Sequence, residues 1–313
     1  MENKIIKKEF YFKSSNHISN IYSVIWIDEN LKEYKGIIQI VHGMAEHIIR
    51  YEDFAKFLAS NGFIVCGNDH IGHGKSVNHK SEFGYFGEGE FNYLKLVKDI
   101  KKLNNIVSNK YNNLSTILIG HSMGSFLARD YACRYPKNIK CSIFIGTSGK
   151  NKLIDIGRKL CSIKIKKGIG NKNSKIMDKI AFGNYNTKFR NNKTNFDWLS
   201  SDEKVVKDFI NDENCAFIFT YAGFYDLFTA LKMVSSNSWY RKFNKKMPVL
   251  LTSGNMDPVG NYGKGVKEVY KKLKKNNANV EIKLYENMRH EILNEKNKIN
   301  VYNDILNWIN QKI

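Results

Sequence analysis

Apolar positions along the chain fall into short, near-continuous runs separated by longer stretches with helical spacing. Two β-branched and aromatic-rich runs come first, at 8–14 and 20–27, with Ser15-Asn16-His17 between them. They predict an antiparallel edge. Near-continuous apolar runs follow at 36–41, 63–68, 117–119, 141–146 and 248–254, with a last strand at 281–285. Runs of this kind suit strands buried on both faces. Between them, Tyr51, Phe54, Ala55, Phe57 and Leu58 share one helical face. Leu94, Val97, Ile100 and Leu103 share another, within 91–107. A third helix over 126–135 stops before Pro136, and a closing helix spans 297–311. Strand and helix alternating in this way predict an α/β fold, a mostly parallel sheet flanked by helices.

The rhythm breaks between Gly149 and Lys245. That stretch has no strand signal of comparable strength, only Lys-rich helical segments and aromatic clusters such as Phe182, Tyr185, Trp198, Phe224 and Phe228. The expected organisation is a core of residues 1–148 and 246–313, with 149–245 inserted as a helical cap, or lid, over the carboxyl edge of the sheet.

Composition adds three constraints. An apolar share of 42% and an aromatic share of 13% provide for a substantial core. No window reaches the roughly 18 apolar residues a spanning helix needs, and Met1 to Lys8 carries no apolar leader segment. The five cysteines (66, 133, 141, 161 and 215) have no CxxC spacing and are odd in number, which suits reduced thiols in a cytoplasmic protein. The formal charge is +20, with Lys and Asn abundant and only three prolines, a pattern that coding bias also produces. No basic–aromatic interleaving accompanies it, so no nucleic-acid partner is expected. The charge is densest over 150–179, where ten Lys/Arg face Asp155 and Asp178. That stretch reads as a solvated helix face or as a surface for transient contact with anionic membrane.

The chemistry centres on Gly120-His121-Ser122-Met123-Gly124, a Gly-x-Ser-x-Gly between a strand and a helix. In that context the turn is sharp and strained, and it exposes the serine hydroxyl. The new helix leaves the N–H of Met123 unpaired, ready for a developing anion. His42-Gly43-Met44-Ala45-Glu46-His47 follows a buried strand at the carboxyl edge, and the N–H of Met44 is a second candidate oxyanion donor. Asp257 and His290 lie just beyond the strands at 248–254 and 281–285. Asp69, His70 and His73 invite a metal reading. Two glycines in that segment favour a tight turn with its histidines bonded to backbone, so no metal and no cofactor is expected.

The order Ser122, Asp257, His290 is that of α/β-hydrolases. With the motifs at 42–47, 69–76, 120–124, 254–260 and 289–291, the chain resembles the monoacylglycerol lipase and lysophospholipase (serine aminopeptidase-like) group. The resemblance implies the α/β-hydrolase fold, with Ser122 as nucleophile, His290 as base and Asp257 as its orienter. Met44 and Met123 would form the oxyanion hole. Glu46 and Arg50 match positions around the group's alcohol-side pocket, although at i,i+4 they also suit a simple salt bridge. Ala45 stands where the group usually has glycine, a small-for-small change. The implied activity is serine-dependent hydrolysis of carboxylic esters, with a small lipid ester as partner. A thioesterase or aminopeptidase would use the same three residues, and a non-catalytic basic membrane-binding protein would need none of them.

Overall fold

The computed structural model describes residues 4–112, 114–151, 153–189 and 191–313. Met1 to Asn3 of the leader reading and Lys152 of the basic stretch lie outside the described residues. The strands are β1 (Ile5–Lys13), β2 (Asn20–Asp28), β3 (Ile37–Val41), β4 (Ile64–Asn68), β5 (Thr116–His121), β6 (Ile139–Ile145), β7 (Val249–Gly254) and β8 (Val280–Tyr285). They form one sheet in the order β1-β2-β4-β3-β5-β6-β7-β8. β1 and β2 pair antiparallel, and β2 joins β4 antiparallel. Every pairing from β4 through β8 is parallel. The predicted edge ribbon is therefore present, and β1 starts earlier than the aromatic run alone suggested.

Alternation along each strand feeds two cores. Ile117 and Ile119 of β5 join the cluster under α1 (Glu52–Ser60) and α10 (Lys298–Asn310), whereas Leu118 joins the one under α2 (Tyr93–Lys110), α3 (Met123–Arg134) and α9 (Lys264–Lys275). Because both faces are covered, the central strands need apolar side chains at most positions, which is why they read as near-continuous runs.

The stretch between β6 and β7 holds α4 (Leu153–Lys166), α5 (Lys175–Phe182), α6 (Glu203–Asn211), α7 (Tyr221–Val234) and α8 (Asn237–Lys242). Fully buried Arg129 of α3 ties both ends of this stretch to the core. Its guanidinium donates to the carbonyl oxygens of Ser148 at 3.0 Å and Val234 at 2.6 Å, and it lies 4.7 Å from the Trp239 ring centre. Farther along, the insertion rests on two core loops. Ala216 N–H donates to Ala45 O at 3.0 Å, and Glu291 N–H donates to Leu199 O at 2.7 Å.

The loops at the carboxyl ends of β3 and β4 are braced by buried histidines. His70 Nε2 donates to His42 O at 3.2 Å, and His73 Nδ1 donates to Ile71 O at 3.0 Å. This is the backbone bonding expected of that turn. Nδ1 of His70 and Nε2 of His73 have no partner among the described residues, so protonation would bury an N–H with no acceptor there. Burial accordingly pushes the two rings down to about 3 and about 4. Asp69 accepts from the N–H groups of Ile48 and Lys75, both at 2.8 Å, and so joins the two loops.

Ala45 is not a neutral replacement for glycine. Its φ is 53°, in the left-handed region, which costs a residue with a Cβ roughly 1 kcal/mol. Its methyl is buried. Glycine would relieve the strain but lose chain entropy on folding, so Ala45→Gly is expected to raise stability by roughly 0.5 kcal/mol. A higher urea midpoint would bear this out, whereas a lower one would mean that the packing of the methyl outweighs the strain.

Candidate active site

Ser122 joins β5 to α3 with φ 53° and ψ −124°, a strained conformation for a side-chain-bearing residue. Such strain costs on the order of 1–3 kcal/mol and must be held by its surroundings. Ser122 N–H donates to Ile145 O at 3.0 Å, and Ser122 O accepts the Ser125 N–H at 2.8 Å. The flanking glycines are required by close approach rather than by their φ angles. A Cβ on Gly120 would lie 2.5 Å from Gly124 O, and one on Gly124 would lie 2.1 Å from Val41 O. Those contacts press the start of α3 against the end of β3, next to the 42–47 loop. The N–H groups of Met44 and Met123 have no hydrogen-bond partner among the described residues, and both residues line the same cavity as Ser122 and His290.

Asp257, fully buried beyond β7, places Oδ1 3.0 Å from His290 Nδ1. The distance is that of an ion-pair contact, although the N–H direction falls short of hydrogen-bond alignment. Burial opposes the charge on Asp257. The His290 ring, the Ser253 hydroxyl at 2.8 Å and the Val259 N–H at 2.8 Å outweigh burial and hold the carboxyl below its usual range. The Ser122 hydroxyl makes no side-chain hydrogen bond among the described residues. Catalytic hydrogen bonds are often long without substrate and tighten only when it is bound. The Trp198 ring from the insertion lies 5.2 Å from that of His290.

Glu46 and Arg50 do pair, but not as a surface helix bridge. Arg50 donates to Glu46 Oε2 at 2.7 Å and makes a two-pronged contact with Glu291, both bonds also at 2.7 Å. Glu46 Oε1 accepts the Tyr51 hydroxyl at 2.8 Å and also takes the Gly43 N–H, which shapes the loop carrying Met44. Glu46 lines the cavity and Arg50 does not. Burial opposes both charges, yet His121 and Arg50 hold Glu46 ionised, and Glu291 and Glu46 hold Arg50 charged.

His121 completes this network. Its Nε2 lies 3.2 Å from the His290 carbonyl and must donate to it. Its Nδ1 lies 2.9 Å from the Tyr51 hydroxyl, whose own proton goes to Glu46, so Nδ1 must donate as well. A ring that donates from both nitrogens is an imidazolium. Burial opposes that charge, but Glu46 and Glu291 outweigh it and raise the His121 pKa. Two carboxylates and two cations thus balance in a buried quartet. The sequence motif contains His121 and Glu291, but nothing in their spacing marks them as partners.

Replacing His121 with Leu leaves a buried carboxylate undercompensated and is expected to cost about 3 kcal/mol. The folded pKa of His121 is raised above about 6.5, its unfolded value. Its contribution is therefore complete below that pH and is lost as the pH rises through the folded value. The stability gap between wild type and His121→Leu should narrow on going alkaline in urea melts, and a gap constant with pH would contradict the imidazolium assignment.

The cavity holding Ser122 and His290 has a volume of about 1330 Å³. Ile154, Phe182, Trp198, Leu227, Phe228 and Leu231 of the insertion line part of it.

Residues 32–297 match the family described as serine aminopeptidase, S33. A monoacylglycerol lipase of Mycolicibacterium smegmatis is 25% identical over 306 residues, 97% of each chain. The crystal structure of a thermostable carboxyl esterase from Bacillus coagulans, in complex with glycerol, superposes with a TM-score of 0.92 at 30% identity, covering 98% of both chains. A soluble variant of the monoglyceride lipase from Saccharomyces cerevisiae shares the fold, with a TM-score of 0.78 at 18% identity, covering 98% of this chain and 96% of that one. The chain is an α/β-hydrolase and belongs to the serine aminopeptidase S33 family, within the esterase and lipase superfamily of serine hydrolases.

Proposed function

We propose that the protein is a serine carboxylesterase acting on lipid esters of the monoacylglycerol or lysophospholipid type. The observation that carries this reading is one cavity lined by strained Ser122, by His290 backed by Asp257, and by two residues with unpaired backbone N–H groups. In this reading, Ser122 Oγ attacks the ester carbonyl carbon while Nε2 of His290 takes its proton. The N–H groups of Met44 and Met123 hold the oxyanion of the tetrahedral intermediate. His290 then protonates the departing alcohol oxygen, leaving an acyl-enzyme, and water repeats the cycle to release the acid. Asp257 sits at the other ring nitrogen, orients the ring and balances its transient charge.

The apolar insertion wall favours an acyl chain. The alcohol class is supported by the names of the relatives above, among them an esterase solved with glycerol. A peptidase would need an acid free to meet a substrate ammonium. Of the acids lining the cavity, Glu46 and Glu291 are engaged by Arg50 and Glu268 by Lys272, while Asp178 of α5 has no ion pair among the described residues. The ester reading therefore rests on the apolar part of the wall and on the relatives. Five free cysteines among the described residues suit a cytoplasmic setting.

The reading extends to how the substrate arrives. Ile156, Leu160 and Ile163 of α4 and Ile176 and Ile180 of α5 are exposed, at i, i+4, i+7 and i, i+4 spacings. Lysines 159, 166, 167, 172, 175 and 179, in the same helices and the turn between them, are exposed as well. Exposed apolar side chains on helices that also carry exposed cations suit the interface of an anionic bilayer, where an amphiphilic ester resides.

Ser122→Ala is expected to lower kcat on a chromogenic acyl ester by at least ~1000-fold and to abolish fluorophosphonate labelling. Retained turnover would refute the assignment of the nucleophile. Acyl-glycerol, acyl-CoA and amino-acid arylamide substrates, compared side by side, separate esterase from thioesterase and aminopeptidase. The double variant Lys159→Glu, Lys175→Glu is expected to bind phosphatidylserine vesicles at least tenfold more weakly, at about 1 kcal/mol per cation. Its turnover of a soluble short-chain ester should stay unchanged, and undiminished vesicle binding would remove the docking reading.

A further inference from the structure

We infer that His47, Asp212 and Cys215 form a zinc-binding site that fastens the inserted helices to the loop carrying Met44. Their ligand atoms, Nε2 of His47, a carboxylate oxygen of Asp212 and Sγ of Cys215, all lie within 4.8 Å of one another. An imidazole, a carboxylate and a thiolate are the donor types that zinc takes, and the soft sulfur disfavours magnesium or calcium.

The backbone on both sides is prepared for this. Asp212 Oδ1 accepts the Asn214 N–H at 2.8 Å, and Cys215 N–H donates to Asp212 O at 2.9 Å. This turn presents the side chains at i and i+3 together. It also occupies one carboxylate oxygen and leaves Oδ2 aimed at His47 Nε2, 2.7 Å away. Opposite, Ile48 N–H is held by Asp69 at 2.8 Å, and a Cβ on Gly74 would come within 2.9 Å of the His47 Cβ. His47 is thus seated on fixed, closely packed backbone.

Tetrahedral zinc with bonds of ~2.0–2.3 Å places its ligand atoms roughly 3.3–3.7 Å apart. His47 Nε2 and Asp212 Oδ2, now 2.7 Å apart, would separate slightly, and the three ligand atoms, already within 4.8 Å of one another, reach these spacings by side-chain rotation. The side chains of His47 and Asp212 are 13% and 31% exposed, so the fourth position opens to solvent and takes a water. On binding, the Cys215 thiol proton leaves to bulk water and His47 coordinates through the lone pair of its neutral ring. The ion, one thiolate and one carboxylate then sum to zero charge.

The site bridges two segments already joined by the Ala216 N–H to Ala45 O bond. A metal there adds a stronger link beside Met44. Any influence on turnover rests on the oxyanion role proposed for Met44, but the binding itself does not.

The test uses the full chain, freed of metal by a chelator and kept reduced, titrated with Co²⁺ as a spectroscopic stand-in and then with Zn²⁺. The expected result is one Co²⁺ per chain with a near-ultraviolet thiolate charge-transfer band, displaced by Zn²⁺, and a higher Tm with zinc. Cys215→Ser should abolish the band and the Tm shift. Asp212→Asn and His47→Asn should each weaken binding at least tenfold, and thermal melts without metal verify that each variant is folded. The absence of a thiolate band in wild type, or its persistence in Cys215→Ser, overturns the proposal. Because no step reads ester hydrolysis, failure here is distinct from failure of the esterase reading.

Discussion

Arg50 lies between two carboxylates that come from opposite ends of the chain. Glu46 belongs to the loop after β3, and Glu291 follows His290 near the C-terminus. Once buried, the guanidinium needs both acids, and each acid needs it, because an uncompensated charge away from water is costly. His121 supplies the second cation and reaches the His290 carbonyl from within the serine turn. Three loops that must agree in position are therefore held by one charge-neutral network. Charge-assisted hydrogen bonds also fix direction, since each donor meets its acceptor along a narrow range of angles. Sub-ångström placement is what this chemistry demands of its scaffold, because small misplacements cost large factors in rate.

The inserted helices do more than shield the cavity. They bond directly to the two loops the site depends on, through Ala216 to Ala45 and through Leu199 to Glu291. Trp198 stands over His290. A shift of the insertion would thus be felt at the loop carrying Met44 and at the loop carrying His290 together. Arg129 anchors both ends of the insertion to α3. The same helices also carry exposed isoleucines and lysines, and Lys179 and Ile180 among them line the cavity.

Much of the fold was legible along the chain because it follows from local regularities. Strands buried on both faces must be mostly apolar, and β3 through β7 read that way. Helices covering them must be apolar on one side, as α1, α2 and α10 are. The Gly-x-Ser-x-Gly turn was readable because a strand feeding directly into a helix leaves few residue types able to sit where Gly120 and Gly124 sit. The small size of Ala45 could be read along the chain, whereas its left-handed φ could not.

What the sequence determined by itself was the order of elements and which residues reach the carboxyl edge of the sheet: Ser122, Asp257, His290 and the 42–47 loop. Periodicity and turn chemistry act over a few residues, so a linear reading reaches them. Tertiary structure alone decided the partners. That Arg50 meets Glu291, that His121 carries a proton, and that His47 faces Asp212 and Cys215 depend on contacts between segments up to 241 residues apart. Burial sets the energy of those contacts, and burial is a property of the folded chain rather than of any stretch of it.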